Sequence, residues 1–470
     1  MQRWSRVLIL LAMLVTAYLL VLAWQKDYGA QAVAPAVVAT PATVVTQDIP
    51  AATPAPVTAA TDLPVADTAV VVPVDTAAVP VAASTAGLVE VETDVYRLWI
   101  DPRGGDIVRV ELLQHQSGQQ SGQPFLLLEQ DSNRTYIAQS GLIGLNGPDA
   151  AVTGRPLYRV AANRYVMAAG QKSLVVPLTL DAGNGVEVIK TFEVKAGEYP
   201  IRVTHQVINR GSQAWQGAMF AQLKRDASLD PSVSSQGFFA VGTFLGGAWG
   251  TPAESYNKMK FADFSKSPLN VSAQGGWIAM VQHYFVSAWV PDAQQTAILE
   301  SRTVGDQYIM GMRLPTFNVA AGQQQSIGAT LYTGPKVQSE LKHLAEGLNK
   351  TVDYGWLWPI AQLLFWGLSF FHGLIGNWGW AIIALTITVK IILFPLSNKS
   401  YRSMGKMRVI APEMQRMKEE FGDDRMRFSQ EMMAMYKREK VNPLAGCLPL
   451  LLQMPIFLAL YWVLMESVEL

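Results

Sequence analysis

Apolar residues fall along this chain in three patterns, and each predicts a different kind of element. Continuous apolar runs occupy Val7–Ala23, Leu357–Ile375, Trp378–Leu396 and the stretch CLPLLLQMPIFLALYWVLMESV from Cys447. These approach the ~20 residues a helix needs to cross a bilayer. Alternation dominates from Gly87 to Gly334. Val95, Leu98 and Ile100 lead into the turn Asp101-Pro102-Arg103-Gly104-Gly105, and Ile107, Val108, Val110 and Leu112 follow it. Val186, Val188, Phe192 and Val194 precede the turn Gly197-Glu198-Tyr199-Pro200, with Ile201, Val203, His205 and Val207 beyond it. Short strands between turn signals predict an antiparallel β-sandwich. Spacings of three and four appear in Lys336–Asn349, where Leu341, Leu344 and Leu348 predict a helical connector. They recur at Met404, Met407, Ala411 and Met414, and at Met426, Ser429, Met433 and Tyr436. Those are the seam positions of a two-helix hairpin. Gly422-Asp423-Asp424 breaks it, Asp423 or Asp424 caps the second arm, and Pro412 kinks or restarts the first.

These patterns divide the chain into an α+β membrane protein. Residues 1–28 carry Arg3 and Arg6 before the first apolar run, and read as a transmembrane signal anchor or a cleavable signal peptide with Ala30-Gln31-Ala32 as its cleavage site. Basic residues ahead of the run place the N-terminus in the cytoplasm. Residues 29–86 are Ala, Val, Pro and Thr with no aromatic, and read as a disordered tether. The sandwich takes 87–334 and the connector 335–356. Between Ser397 and Val441 eleven basic residues face seven acidic ones. If both stretches of 357–396 spanned, this basic segment would lie outside, against the positive-inside tendency. The expectation is therefore an interfacial amphipathic helix at 357–377, with Trp356, Trp358 and Trp366 around it, and a transmembrane helix at 378–396. A tight helical hairpin with the basic segment outside is the alternative. A cytoplasmic helical hairpin at 397–446 and a transmembrane helix at 447–470, kinked by Pro455, complete the order. The abrupt apolar ending at Leu470 suggests a truncated chain.

Composition and candidate chemistry narrow the function. Net charge is zero over 470 residues, which argues against a nucleic-acid binder. The single cysteine, Cys447, permits no intrachain disulfide and reads as a small packing residue. No P-loop is present, so nucleotide-driven transport is not indicated. His205 and His283 sit in alternating stretches and read as hydrogen-bonded structural residues rather than sugar-directed acid–base groups. No cofactor, metal or covalent chemistry is expected. The one charge inside Trp378–Leu396 is Lys390. A charge at that depth costs about 2.5–3.5 kcal/mol on insertion scales. Lys390 either snorkels to the headgroups or faces a wet cavity, and Thr386, four residues earlier, extends a polar stripe. The hairpin methionines are either its core or a flexible apolar surface that receives hydrophobic segments.

TITVKIILFPLSNKSYRSMGKMRVIAPEMQRMKEEFGDD, then QEMMAMYKREKVNPLAGCLPLLLQMPIFLALYWVLM, closely resembles the YidC family of bacterial membrane protein insertases. VNPLAGC and QMPIFLALY carry much of the match, and the order of parts fits the form with a large periplasmic domain. The resemblance implies a sandwich like that of the sugar-mutarotase superfamily, without its acid–base set. It implies a hydrophilic groove that holds one positive charge, onto which Lys390 falls, with Thr386, Gln453, Met454 and Phe457 along the substrate path. Met404, Met407, Met417, Met432 and Met435 belong to the hairpin implicated in receiving substrates. Implied partners are nascent membrane proteins, the Sec translocon, the ribosome and targeting factors, and the lipid bilayer of the bacterial inner membrane. The family core has five transmembrane helices, of which two fall within this sequence. A membrane-anchored periplasmic carbohydrate-binding or scaffold protein is the competing expectation.

Overall fold

The computed structural model describes residues 62–64, 87–117, 122–151, 154–230, 244–421, 424–439 and 448–470. The expected anchor, nearly all of the tether, Cys447 and the turn before it lie outside these residues. Two sheets, of eleven and nine strands among the described residues, pack face to face. Pairing is antiparallel except where Val89–Glu92 meets Arg164–Val166 in parallel. The nine-stranded sheet is built around Pro200–Asn209, which lies between Val186–Lys195 and Gln324–Pro335. The eleven-stranded sheet is built around Trp215–Arg225, between Thr135–Ile143 and Gln307–Arg313. Alternation fixes which face is buried, because a one-residue slip would turn every side chain over. Val186, Val188, Phe192 and Val194 meet Ile201, Val203 and Val207, and with Met219, Ala221 and Leu223 of the other sheet they form one core.

Two inward positions are not apolar. Lys190 and His205 stand opposite each other in register, both with no exposed surface. The Lys190 ammonium donates to Gly104 O at 2.9 Å and Ser140 O at 2.8 Å, so it bridges the two sheets. Gly105 has φ +63°, and a Cβ there would stand 2.8 Å from the Lys190 chain. From the outer side of the sheet, Arg155 donates to the same two carbonyls at 3.0 Å each and pairs with Asp106 and Asp149. The expected hydrogen bonding of His205 is not found: neither ring nitrogen has a partner among the described residues. Burial, with Lys190 and Arg155 nearby, holds its pKa well below the usual histidine range, so the ring is neutral. His283 is bonded as expected, its Nε2 lying 3.1 Å from Met465 O.

The connector is shorter than its leucine spacing predicts. A short helix spans Gln338–Leu344 and a 3-10 turn spans Leu348–Thr351. Gly347 separates them at φ +80°, where a Cβ would meet Ser255 O at 1.9 Å, so the chain must turn there. Leu341 and Leu348 still reach the sandwich core. Four longer helices follow: α1 (Trp358–Ile375), α2 (Trp378–Phe421), α3 (Arg425–Arg438) and α4 (Leu448–Glu466). α2 runs on through both Pro395 and Pro412, so the restart offered for Pro412 does not occur, and the segments expected at 378–396 and 397–446 begin as one helix. A helix-interior proline costs about 3 kcal/mol. Past Pro412 the same helix places Met414 and Met417 on the line begun by Met407 and Ile410, where they pack against α3. That apolar contact keeps the helix running.

Candidate functional site

α1 turns Ala361, Leu364 and Leu368, at spacings of three and four, toward Ala381 and Leu385 of α2 and Ala459 and Val463 of α4. The remaining faces stay apolar and exposed: Leu363, Trp366 and Phe370 on α1, Ile383, Ile387 and Ile391 on α2, Leu451, Leu458 and Leu464 on α4. A water-soluble surface rarely carries that much contiguous apolar area. By length and composition Gly355–Ile375 and Trp378–Phe421 can each cross a membrane.

Where the three helices meet lies a shallow, open groove. Leu364, Leu385, Val389, Ile456, Phe457 and Leu460 line it, and its polar groups are Thr386, Lys390 and Gln453. The structure thus brings together four of the five expected groove residues. Lys390 Nζ stands 6.0 Å over the Phe457 ring, at the limit of a cation–π contact. Lys390 is exposed and has no carboxylate in ion-pair range among the described residues. The Thr386 hydroxyl donates to Ile382 O at 2.8 Å, which leaves its lone pairs toward the groove. Met454 is 51% exposed and stands outside the lining. The groove is mainly apolar, with one cation and two neutral polar groups. It can hold an apolar segment while offering a charge and hydrogen bonds to a polar flank. Leu364, Ile456 and Leu460 escaped the sequence reading, because apolar residues in an apolar run carry no mark of which face they take.

The hairpin seam differs from its expected register. Met435 is only 2% exposed and forms the centre with Ile410, packed by Met407, Met414, Met417 and Tyr436. Met404, Ala411, Met426 and Met433, expected on the seam, are exposed, with Met426 73% open. Met417, Met432 and Met435 were expected off it; Met417 and Met435 join the cluster, and Met432 is half-buried. A second line at the same spacing, 407-410-414-417, includes the β-branched Ile410 and buries better. Asp424 is the cap of α3, its carboxylate accepting from the Met426 and Arg427 amides at 3.1 Å each.

The sandwich end of α4 is tied down by polar groups that the sequence did not disclose. Glu466 lies 3.5 Å from Lys336 Nζ and 3.6 Å from His283 Nε2. Just beyond α4, the Ser467 hydroxyl meets Tyr354 at 3.2 Å and Glu469 accepts from the Gln338 amide at 3.1 Å. Burial lowers the Lys336 pKa against the pull of Glu466.

Apolar helices with outward-facing hydrophobic side chains, joined to a large two-sheet domain, define a helical membrane protein with an extramembrane domain. The chain belongs to the YidC family of membrane protein insertases. Residues 88–367 match the YidC periplasmic domain and residues 370–470 the 60Kd inner membrane protein family. It is therefore an inner-membrane protein with a periplasmic domain. A protein named membrane protein insertase YidC from Azotobacter vinelandii is 48% identical, over 99% of this chain and 82% of its own length. Relatives of the same name from Ectopseudomonas mendocina and Stutzerimonas stutzeri are 47% and 49% identical, over 99% of this chain and 83% and 82% of their own. Among solved structures, a galactose mutarotase related enzyme from Lactobacillus acidophilus is similar at 10% identity and a TM-score of 0.36, over 52% of this chain and 97% of its own. At that score the likeness carries no argument about function.

Proposed function

We propose that this chain inserts membrane proteins and assists their folding, alone or with the Sec translocon, by receiving substrate in the groove of α1, α2 and α4. One observation carries the reading: Lys390, Thr386, Gln453 and Phe457, drawn from two helices, line a single pocket. A substrate's polar flank pays a large cost to enter hydrocarbon unpaired. The groove lowers that cost by offering a cation and two hydrogen-bonding side chains, and apolar partitioning completes the transfer. No cofactor or covalent step is required. In this reading α1 lies along the interface, α2 and α4 span, the N-terminus is cytoplasmic and the α2–α3 hairpin meets ribosomes and nascent chains at the cytoplasmic face. Met404, Met426 and Met433 supply its exposed methionines, whereas Met435 holds the two arms together. The carbohydrate alternative has less support, since His205 and Lys190 are sealed from solvent.

Site-specific photocrosslinking from Thr386 or Phe457 to a nascent membrane protein tests the groove directly, and no adduct at either position counts against it. The role of charge is tested by complementation of a depletion strain. Lys390→Arg is expected to sustain growth, and Lys390→Ala to fail for substrates with acidic outer segments. Full complementation by Lys390→Glu would sink the charge argument.

A further inference from the structure

On the eleven-stranded sheet, Met219, Ala221 and Leu223 face the inter-sheet core. Their neighbours Ala218, Phe220, Gln222 and Lys224 therefore face outward. Outward residues ordinarily meet water, yet Ala218, Phe220 and Gln222 are sealed, and so is Ile143 opposite Ala218. Part of the cover is a piece of the chain's own tether. Leu63 packs against Ile143, Ala218 and Phe220. Asp62 O accepts from Gln222 Nε2 at 2.9 Å and from Arg302 Nη2 at 2.8 Å, and the Asp62 carboxylate lies 3.1 Å from Lys224 Nζ. Pro64 is buried beside them.

The receiving groups are held in place from behind. Gln222 Nε2 also reaches Gln139 Oε1 at 2.9 Å, Gln139 donates to Asp106 at 2.7 Å, and Arg302 donates to Glu300 at 2.6 Å. Gly311 stands opposite both Gln222 and Glu300 in register, and a Cβ there would touch both side chains, at 3.4 and 3.6 Å. A proline after the leucine keeps the bound peptide extended at little entropic cost. The surface thus reads three features in order: a carboxylate with its backbone carbonyl, an aliphatic side chain, and a proline. The tether contains that order twice, as Asp62-Leu63-Pro64 and as Asp48-Ile49-Pro50.

We propose that this outer face is a receptor for extended Asp–aliphatic–Pro peptides. Asp62-Leu63-Pro64 fills it in cis. An external segment of this kind binds only by displacing the chain's own. The proposal is independent of the groove.

The test uses the purified full chain in detergent and a fluorescent peptide of residues 58–68, TAATDLPVADT. A site-emptied variant carries Asp62→Ala and Leu63→Ala, both in the tether, so the main sandwich core is untouched. This variant is expected to bind the peptide at least about tenfold more tightly than the native chain, whose site is occupied. Adding Lys224→Ala to the emptied variant, or replacing Asp62 in the peptide by Ala, is expected to cost about tenfold. Equal binding by native and emptied chains, absence of binding by the emptied chain, or equal binding of a scrambled peptide each overturns the proposal. Circular dichroism of the Lys224→Ala variant separates lost recognition from lost fold.

Discussion

Lys190 is sealed between two sheets with its ammonium on backbone carbonyls, whereas Lys390 presents its own to an open groove. Burial pushes the Lys190 pKa down to about 7, with Asp106 and Asp149 opposing the shift and Arg155 adding to it. The unfolded chain keeps that proton up to pH ~10.4. Between these values the unfolded state binds more protons than the native one, so stability rises with pH. The penalty is fully present below pH 7 and is relieved above it. Lys190→Met is expected to flatten the rise in thermal stability between pH 7 and 10, measured on the solubilised protein. Part of this was legible in the sequence. Position 190 falls on the inward beat of Val186, Val188, Phe192 and Val194, so a lysine there had to be buried or break the strand. Its partners were not legible, because Gly104 and Ser140 contribute only carbonyl oxygens, which no side-chain pattern reveals. Lys390 was legible for the opposite reason: a lone charge in an apolar run stands out.

At the scale of elements, the hairpin shows where periodicity stops being decisive. Two heptad-like lines one residue apart fit α2 nearly equally when methionines are counted, and the packing of Ile410 against Met435 selects between them. The same contact gives the prediction its sign. Met435→Ala is expected to cost about 2–3 kcal/mol of hairpin stability, while Met426→Ala stays within about 0.5 kcal/mol. Asp424→Ala removes the α3 cap at a cost of about 1 kcal/mol. Amide hydrogen exchange across α2 and α3 checks all three. Turns fared better than helix ends, since Asp101–Gly105 and Gly197–Pro200 both connect paired strands as their residues demanded. The connector helix is shorter than its leucine spacing predicts because the positive φ of Gly347 and the closeness of Ser255 force a turn.

For the whole molecule, the decisive contact is the one between the sandwich and the end of α4. Lys336 is buried there, and Glu466 is the carboxylate closest to it. Removing one member of a buried pair typically costs about 3–5 kcal/mol. Glu466→Ala is therefore expected to loosen the junction while leaving the sheets intact, seen as faster tryptic cleavage at Lys350 with unchanged protection of Lys190. The order of parts was legible from texture alone, but this joint was not, because its members are scattered from His283 to Glu469 and none belongs to a motif. Its position has a mechanical consequence. The helix that ends on Glu466 also carries Phe457 and Gln453, 9 and 13 residues or about 14 and 20 Å away along its axis. α4 thus joins the periplasmic domain to one wall of the groove, and on the proposed reading a load on the sandwich would reach the segment beside Lys390 through this helix.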